Sequence, residues 1–276
     1  MLKQAATEFL QTNSPLESFR ELRDNNYKSF DPKVWEGFVE MGWTALTIPE
    51  SYGGLDFGYT GLGQILEETG KTLTKSPLIS SILLSASAIR LSDNEMLKAK
   101  WLPELMNGKT LMSLALDEQS FFDLNLIEST AVLSEDNFII NGVKKMVIDA
   151  CNSNYLIVVA RLNDSISLFL VDSNSEGVNI KTDILMDAGS YSSIDFNNVN
   201  LYKDNPICNE AISKGQTLGC FYVESPAMRG LLRRLKANSY NVLVAASSVI
   251  RPGVAKSGML REYQIRHNNP NRIKYV

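Results

Sequence analysis

Histidine is almost missing: His267 is the single one in 276 residues, set in a polar His-Asn-Asn-Pro-Asn stretch. That scarcity excludes Ser-His-Asp and Cys-His nucleophiles and multi-histidine metal sites together. His267 itself reads as a solvated loop residue. Cysteine is scarce too, and Cys151, Cys208 and Cys220 form no Cys-x-x-Cys pair, so neither a disulfide framework nor a zinc site is indicated. A reducing cytoplasm fits that usage. Long apolar runs are also lacking, since the most apolar helical stretch, Pro77 to Ile89, is short and serine-rich, and the start Met1-Leu2-Lys3-Gln4 has no apolar core. The sequence therefore predicts no membrane anchor and no export signal. Proton or redox chemistry must come from carboxylates or a bound cofactor.

What is present is an unequal distribution of charge. Residues 214–276 hold 11 Lys and Arg against two acids, Glu224 and Glu262, a net +9, whereas the other residues hold 16 basic against 29 acidic, a net −13. The overall −4 hides two segments with opposite electrostatic preferences, and only the basic one suits a polyanion. With 44% hydrophobic residues the chain can bury a core for one large or two ordinary domains.

Periodicity predicts helices over the first hundred residues. Ser14-Pro15-Leu16-Glu17 reads as a capping box, and Asp31-Pro32 opens a helix with Val34, Trp35, Phe38 and Met41 on one face. Tyr52-Gly53-Gly54 marks a turn, and helices are expected over 60–72, 77–91 and 94–106. From Leu111 the period becomes that of strands. Asn141-Gly142 predicts a two-residue hairpin between Phe138-Ile139-Ile140 and a returning strand over 143–150, with further strands over 155–160, 167–171, 178–181 and 193–201. Beyond Gly215, Ser225-Pro226 caps a helix whose Met228, Leu231, Leu232 and Leu235 share one face and whose Arg229, Arg233 and Lys236 form a basic stripe. The expected fold is α+β: an all-α domain over 1–110, an antiparallel β-barrel domain over 111–212, and a short, mainly helical segment over 213–276.

The order of motifs carries a resemblance. Thr47-Ile48-Pro49-Glu50-Ser51-Tyr52-Gly53-Gly54, Trp101-Leu102-Pro103-Glu104-Leu105-Met106-Asn107-Gly108, Phe138 through Lys145, and Ile194-Asp195-Phe196-Asn197-Asn198-Val199 together resemble the acyl-CoA dehydrogenase family over about residues 1–212. That resemblance implies FAD as cofactor, an acyl-CoA as substrate and oxidation of its Cα–Cβ bond, a carboxylate taking the α proton while the flavin takes hydride. Position by position it implies flavin contacts at Leu114, Leu116 and Asp117 and at Met146, Val147 and Ile148. The sequence departs from the family in the loop Asp117-Glu118-Gln119-Ser120-Phe121-Phe122-Asp123, which has no glycine, and Ile148 stands where the family carries a hydroxyl. The family's helical C-terminal domain supplies the base and builds the tetramer. Nothing after Asn209 resembles it, so no catalytic base and no metal ligand is assigned. An inactive flavoprotein of incomplete type is expected, with self-association through uncovered apolar surface.

A second resemblance starts near Ser213. Ser213 through Arg229 and Val244 through Met259 are similar to bacterial DNA polymerase III alpha subunits. It implies phosphate contacts at Arg229, Arg233, Arg234, Arg251 and Lys256, hence weak DNA binding by the tail, although the family's metal-binding acidic motif is not in this segment. Two alternatives to the flavoprotein reading follow: a nucleic-acid-binding fragment, or a structural module without chemistry.

Overall fold

The structure, a computed structural model, describes residues 1–24, 29–119, 121, 123–134, 137–185, 189–202, 214, 225–237, 240–249 and 259–268. The chain divides into two compact units, one of residues 1–134 and 138–201, the other of 135–137 and 202–276.

The first unit begins with helices α1 (Leu2–Asn13), α2 (Leu16–Asp24) and α3 (Pro32–Glu40). Asp31 caps α3 by accepting from the Lys33 N–H, with Pro32 in its first turn, as the sequence predicts. At α2 the expected capping box is replaced by a hydrogen bond of 2.8 Å between the Ser14 and Thr74 hydroxyls. Helix α4 (Gly58–Thr72) packs on α1, where Thr7 donates to the buried Glu68 and Lys3 and Lys71 pair with the same carboxylate. Phe9, Phe38 and Trp43 meet edge-on or tilted at the centre of the helical core. Gly53 takes a φ of 87°, and a Cβ on Gly54 would run into the Ile48 carbonyl, so the Gly-Gly pair is required by the turn.

A π-helical stretch, Leu78–Ser85, precedes α5 (Ala86–Leu91) and α6 (Glu95–Met106). It buries three serines whose hydroxyls all find partners. Ser81 both donates to and accepts from the Met112 backbone at 3.0 Å, covering the open edge of strand β1 (Met112–Ala115).

The sheet has seven strands, the others being β2 (Thr130–Ser134), β3 (Asn137–Ile148), β4 (Tyr155–Leu162), β5 (Ser165–Asp172), β6 (Val178–Ile184) and β7 (Ser190–Tyr202). It is mixed rather than wholly antiparallel. Strands β1 and β2 lie end to end along one edge of β4, both parallel to it, with Leu114 opposite Ile157 and Thr130 opposite Arg161, while β5 pairs antiparallel along the other edge. Strand β4 separates two cores: Ile157 faces the helices, and Leu156, Val158 and Ala160 face a second core with Ile140, Val147, Val171 and Phe196. Burial on both sides explains its unbroken apolar run.

Asn141-Gly142 is not a hairpin. Strand β3 runs straight through it, with Gly142 at φ 149° pressed so closely on Ser129 that a Cβ there would overlap the serine side chain. Asn141 meanwhile accepts from the Asn198 N–H at 2.8 Å, tying β3 to β7.

Among the described residues of the second unit, helix α7 (Pro226–Leu235) contributes Met228, Leu231, Leu232 and Leu235 and helix α8 (Tyr240–Val249) contributes Ala246 to a small core with Ala237, against which Tyr263 of helix α9 (Met259–Asn268) packs. Ser225 caps α7 through the Met228 N–H, as expected. His267 departs from the loop expectation. It sits half-buried in the last turn of α9, with Nε2 3.0 Å from the Leu235 carbonyl and its ring stacked on Tyr263.

Candidate functional site

The ends of β1 and β3 lie side by side, so the two segments expected at the flavin are brought together. The Lys145 N–H donates to the Asp117 carbonyl at 2.7 Å, and Ser113 Oγ donates to the Ile148 carbonyl at 2.6 Å. The six side chains do not converge on one cavity, however. Leu114 packs toward the helical core; Leu116 and Asp117 edge a small depression with Phe121; Met146 is exposed, at φ 56°; Val147 is buried at 2% exposure; Ile148 reaches a large cleft. Alternation along β3 explains the split, since neighbouring residues point to opposite faces.

Behind this edge lies a buried ion pair. Lys144 Nζ donates to Glu118 Oε1 at 2.6 Å and to the Leu116 carbonyl at 3.0 Å, and both Lys144 and Glu118 are nearly inaccessible, at 0% and 8% side-chain exposure. Glu118 also accepts from the N–H groups of Glu128 and Ser129. Burial pulls the Lys144 ammonium below its ordinary value; Glu118 is pushed up by burial, but its hydrogen bonds from Lys144 and those backbone groups outweigh this and hold it below the usual range. The pair is a clamp on the loop after β1. Arg161 adds to it, donating to the Ile127 and Asn125 carbonyls.

The large cleft, about 660 Å³, is walled by α2, the end of α4, residues 73–79, the end of β3 and the start of β7. Phe19, Leu66, Leu73, Ile79 and Ile148 make it largely apolar, with Arg23 and Lys75 among its charged groups. Sequence reasoning missed its most unusual group, Asp149. That residue is in the left-handed conformation at φ 56°, donates its N–H to the Ser190 carbonyl, and accepts from Ser80 Oγ at 2.7 Å. Burial raises its carboxyl to about 6, against the lowering effects of the Ser80 hydrogen bond and the Lys75 charge. Its sole sequence cue is its place directly after the expected contact strand. Among the described residues no cluster of His, Cys, Asp and Glu could hold a metal.

In the second unit, Arg229, Arg233 and Arg234 fall within two turns of α7, with Arg233 and Arg234 exposed. Their ε N–H groups fold back on the helix, Arg233 to the Arg229 carbonyl and Arg234 to that of Gly230. Arg251 and Lys256 lie outside the described residues, as do Ser120 and Phe122 of the β1 loop.

The first unit thus combines N-terminal helices with a mixed sheet whose strand ends open on a cleft. Sequence models of the acyl-CoA dehydrogenase N-terminal domain and middle domain match residues 1–109 and 115–199, and that part of the chain belongs to the acyl-CoA dehydrogenase family. The finger domain of the bacterial DNA polymerase III alpha subunit matches residues 181–276. Cyclohex-1-ene-1-carbonyl-CoA dehydrogenase of Syntrophus aciditrophicus is 28% identical over 165 residues, 56% of this chain and 39% of that protein. DNA polymerase III subunit alpha of Aquifex aeolicus is 34% identical over 82 residues, 30% of this chain and 7% of that protein. The chain therefore spans well under two thirds of either relative. A solved glutaryl-CoA dehydrogenase of Mycobacterium smegmatis in complex with FADH2 superposes with a TM-score of 0.66 at 15% identity, covering 99% of this chain and 84% of that one. No helix among the described residues is long and apolar enough to cross a membrane.

Proposed function

We propose that residues 1–212 form a flavin-binding scaffold of acyl-CoA dehydrogenase type, which takes FAD and an acyl-CoA but does not complete their α,β-dehydrogenation. The observation that carries this reading is the adjacency of the β1 and β3 ends, where Lys145 bonds to the Asp117 carbonyl beside the exposed Met146. These residues fit a planar ring resting on strand ends: Met146 offers an exposed apolar surface, and Ile148 bounds the cleft where an acyl chain would lie. Bound there, FAD would supply the hydride acceptor. The weak point is the proton acceptor. Residues 213–276 resemble a polymerase finger rather than the helices that hold the base in the family; Glu262 pairs with Arg266 on α9, and Glu224 lies outside the described residues.

The test is purification of the 276-residue chain followed by reconstitution with FAD. Retained flavin, released on denaturation, with no oxidation of butyryl-CoA or octanoyl-CoA by an artificial electron acceptor, is the expected result. No retained flavin would return the fold to a structural role; rapid oxidation would show that a base has been overlooked.

The second unit favours a separate reading for itself. The Arg233, Arg234 and Lys236 side chains are exposed on a helix whose opposite face is buried, a surface suited to nonspecific phosphate contact. Labelled single-stranded DNA should bind at low salt and be released as salt rises. Neutralising Arg229, Arg233 and Arg234 together should abolish that binding.

A further inference from the structure

We infer that Asp149 makes the large cleft select uncharged, apolar acyl chains and couples their entry to the uptake of one proton. Three features place the group. It stands on the cleft wall beside Ile148, its αL backbone is fixed by the bond to Ser190, and the π-helical stretch presents Ser80 to its Oδ2. Only Oδ2 is satisfied by a hydrogen bond among the described residues. A π-helical turn of this kind is costly to keep and recurs at functional sites, and a non-glycine residue at positive φ is likewise retained where surrounding structure holds it.

Phe19, Leu66, Leu73, Ile79 and Ile148 make much of the cleft's wall apolar, so a chain that fills it displaces the water solvating the carboxylate. An ionised carboxylate resists that loss strongly, whereas a protonated one can keep the Ser80 contact at far lower cost. Filling the cleft therefore raises the affinity of Asp149 for its proton, and by linkage the proton raises the affinity for the chain. The other groups facing the carboxyl region are Lys75 between α4 and the π stretch, Arg23 on α2, Tyr191 on β7 and Cys151, which shares a hydrogen bond with Ser190. Arg23 is engaged by Asp24, and Lys75 favours the ionised acid. The acid's resting value near 6 places the change within reach of ordinary buffers.

This inference rests on the acyl-ligand reading of the cleft but not on flavin. Loss of FAD binding alone leaves it standing, because the measurement uses flavin-free protein. Octanoyl-CoA is titrated calorimetrically at pH 7 in buffers of different ionisation enthalpy, and again from pH 5.5 to 8, with CoA as the control for head-group binding. The expected result is uptake of close to one proton per octanoyl-CoA and none for CoA, with affinity falling toward about tenfold per pH unit above the acid's free value. Asp149→Asn should bind with pH-independent affinity and no uptake. Ser80→Ala, which removes a hydrogen bond favouring the ionised form, should move the pH profile upward. The inference is overturned by absence of octanoyl-CoA binding at pH 5.5, by binding without proton uptake, by uptake that survives in Asp149→Asn, or by an unmoved profile in a folded Ser80→Ala protein.

Discussion

At the scale of single residues, Asp149 shows how a functional group is held at the expense of stability. A carboxyl raised from about 3.8 to about 6 binds its proton more tightly folded than unfolded, so its contribution is favourable at low pH and is lost as pH climbs through 6. The full shift corresponds to about 3 kcal/mol of lost stability above neutrality. Asn keeps an acceptor for Ser80 and tolerates the left-handed backbone better than most residues. Asp149→Asn should therefore stabilise the first unit by up to about 3 kcal/mol at pH 8 and by almost nothing at pH 4. Urea denaturation followed by tryptophan fluorescence at the two pH values checks this, and equal effects at both would contradict the burial of a charge. Nothing in the residues flanking Asp149 distinguishes it from Asp117 or Asp164, because its raised value comes from burial by segments distant in the chain, such as that of Ser80, nearly seventy positions away.

At the scale of elements, legibility followed the range of the forces involved. The caps at Asp31 and Ser225 and the extent of β4 were readable because a side chain bonds its own turn, or because a strand buried on two faces cannot alternate. Asn141-Gly142 misled for the opposite reason: its glycine is required by Ser129, an approach from another segment, rather than by a local turn. The parallel pairing of β1 and β2 with β4 was likewise hidden, since the partners are set by contacts across the fold. The loop between β1 and β2 is held by the buried Lys144–Glu118 pair, and Lys144→Met would leave a buried, uncompensated carboxylate. A loss of about 3–5 kcal/mol is expected. Glu118→Gln added to Lys144→Met should recover part of it, because Gln still accepts from the 128 and 129 N–H groups without a buried charge. Equilibrium denaturation of the three proteins measures both steps, and a double variant no better than the single one would mean that the charge is not the source of the loss.

At the scale of the molecule, the two units have separate and unequal cores. The first unit buries two clusters on either side of β4, anchored by Trp43, Phe38 and Phe196, whereas among the described residues of the second the buried cluster is Met228, Leu231, Leu232 and Leu235 of α7, Ala237, and Ala246 of α8. A cluster of that size supplies only a few kcal/mol against the entropy of ordering the helices that carry it. The second unit should consequently unfold at lower urea than the first. The chain carries a built-in means of seeing this, since Trp35, Trp43 and Trp101 all lie in the first unit. Tryptophan fluorescence should report a single late transition, and far-UV circular dichroism an early loss of helix followed by the same late step, a failure of coincidence that a two-state protein does not show. Leu232→Ala should advance the early step, through loss of about 2–5 kcal/mol of packing, while leaving the fluorescence midpoint in place. Superimposable curves, or a fluorescence midpoint that follows Leu232→Ala, would show instead that the polymerase-like segment is folded cooperatively with the dehydrogenase-like unit, and that the join between them has become one stable structure.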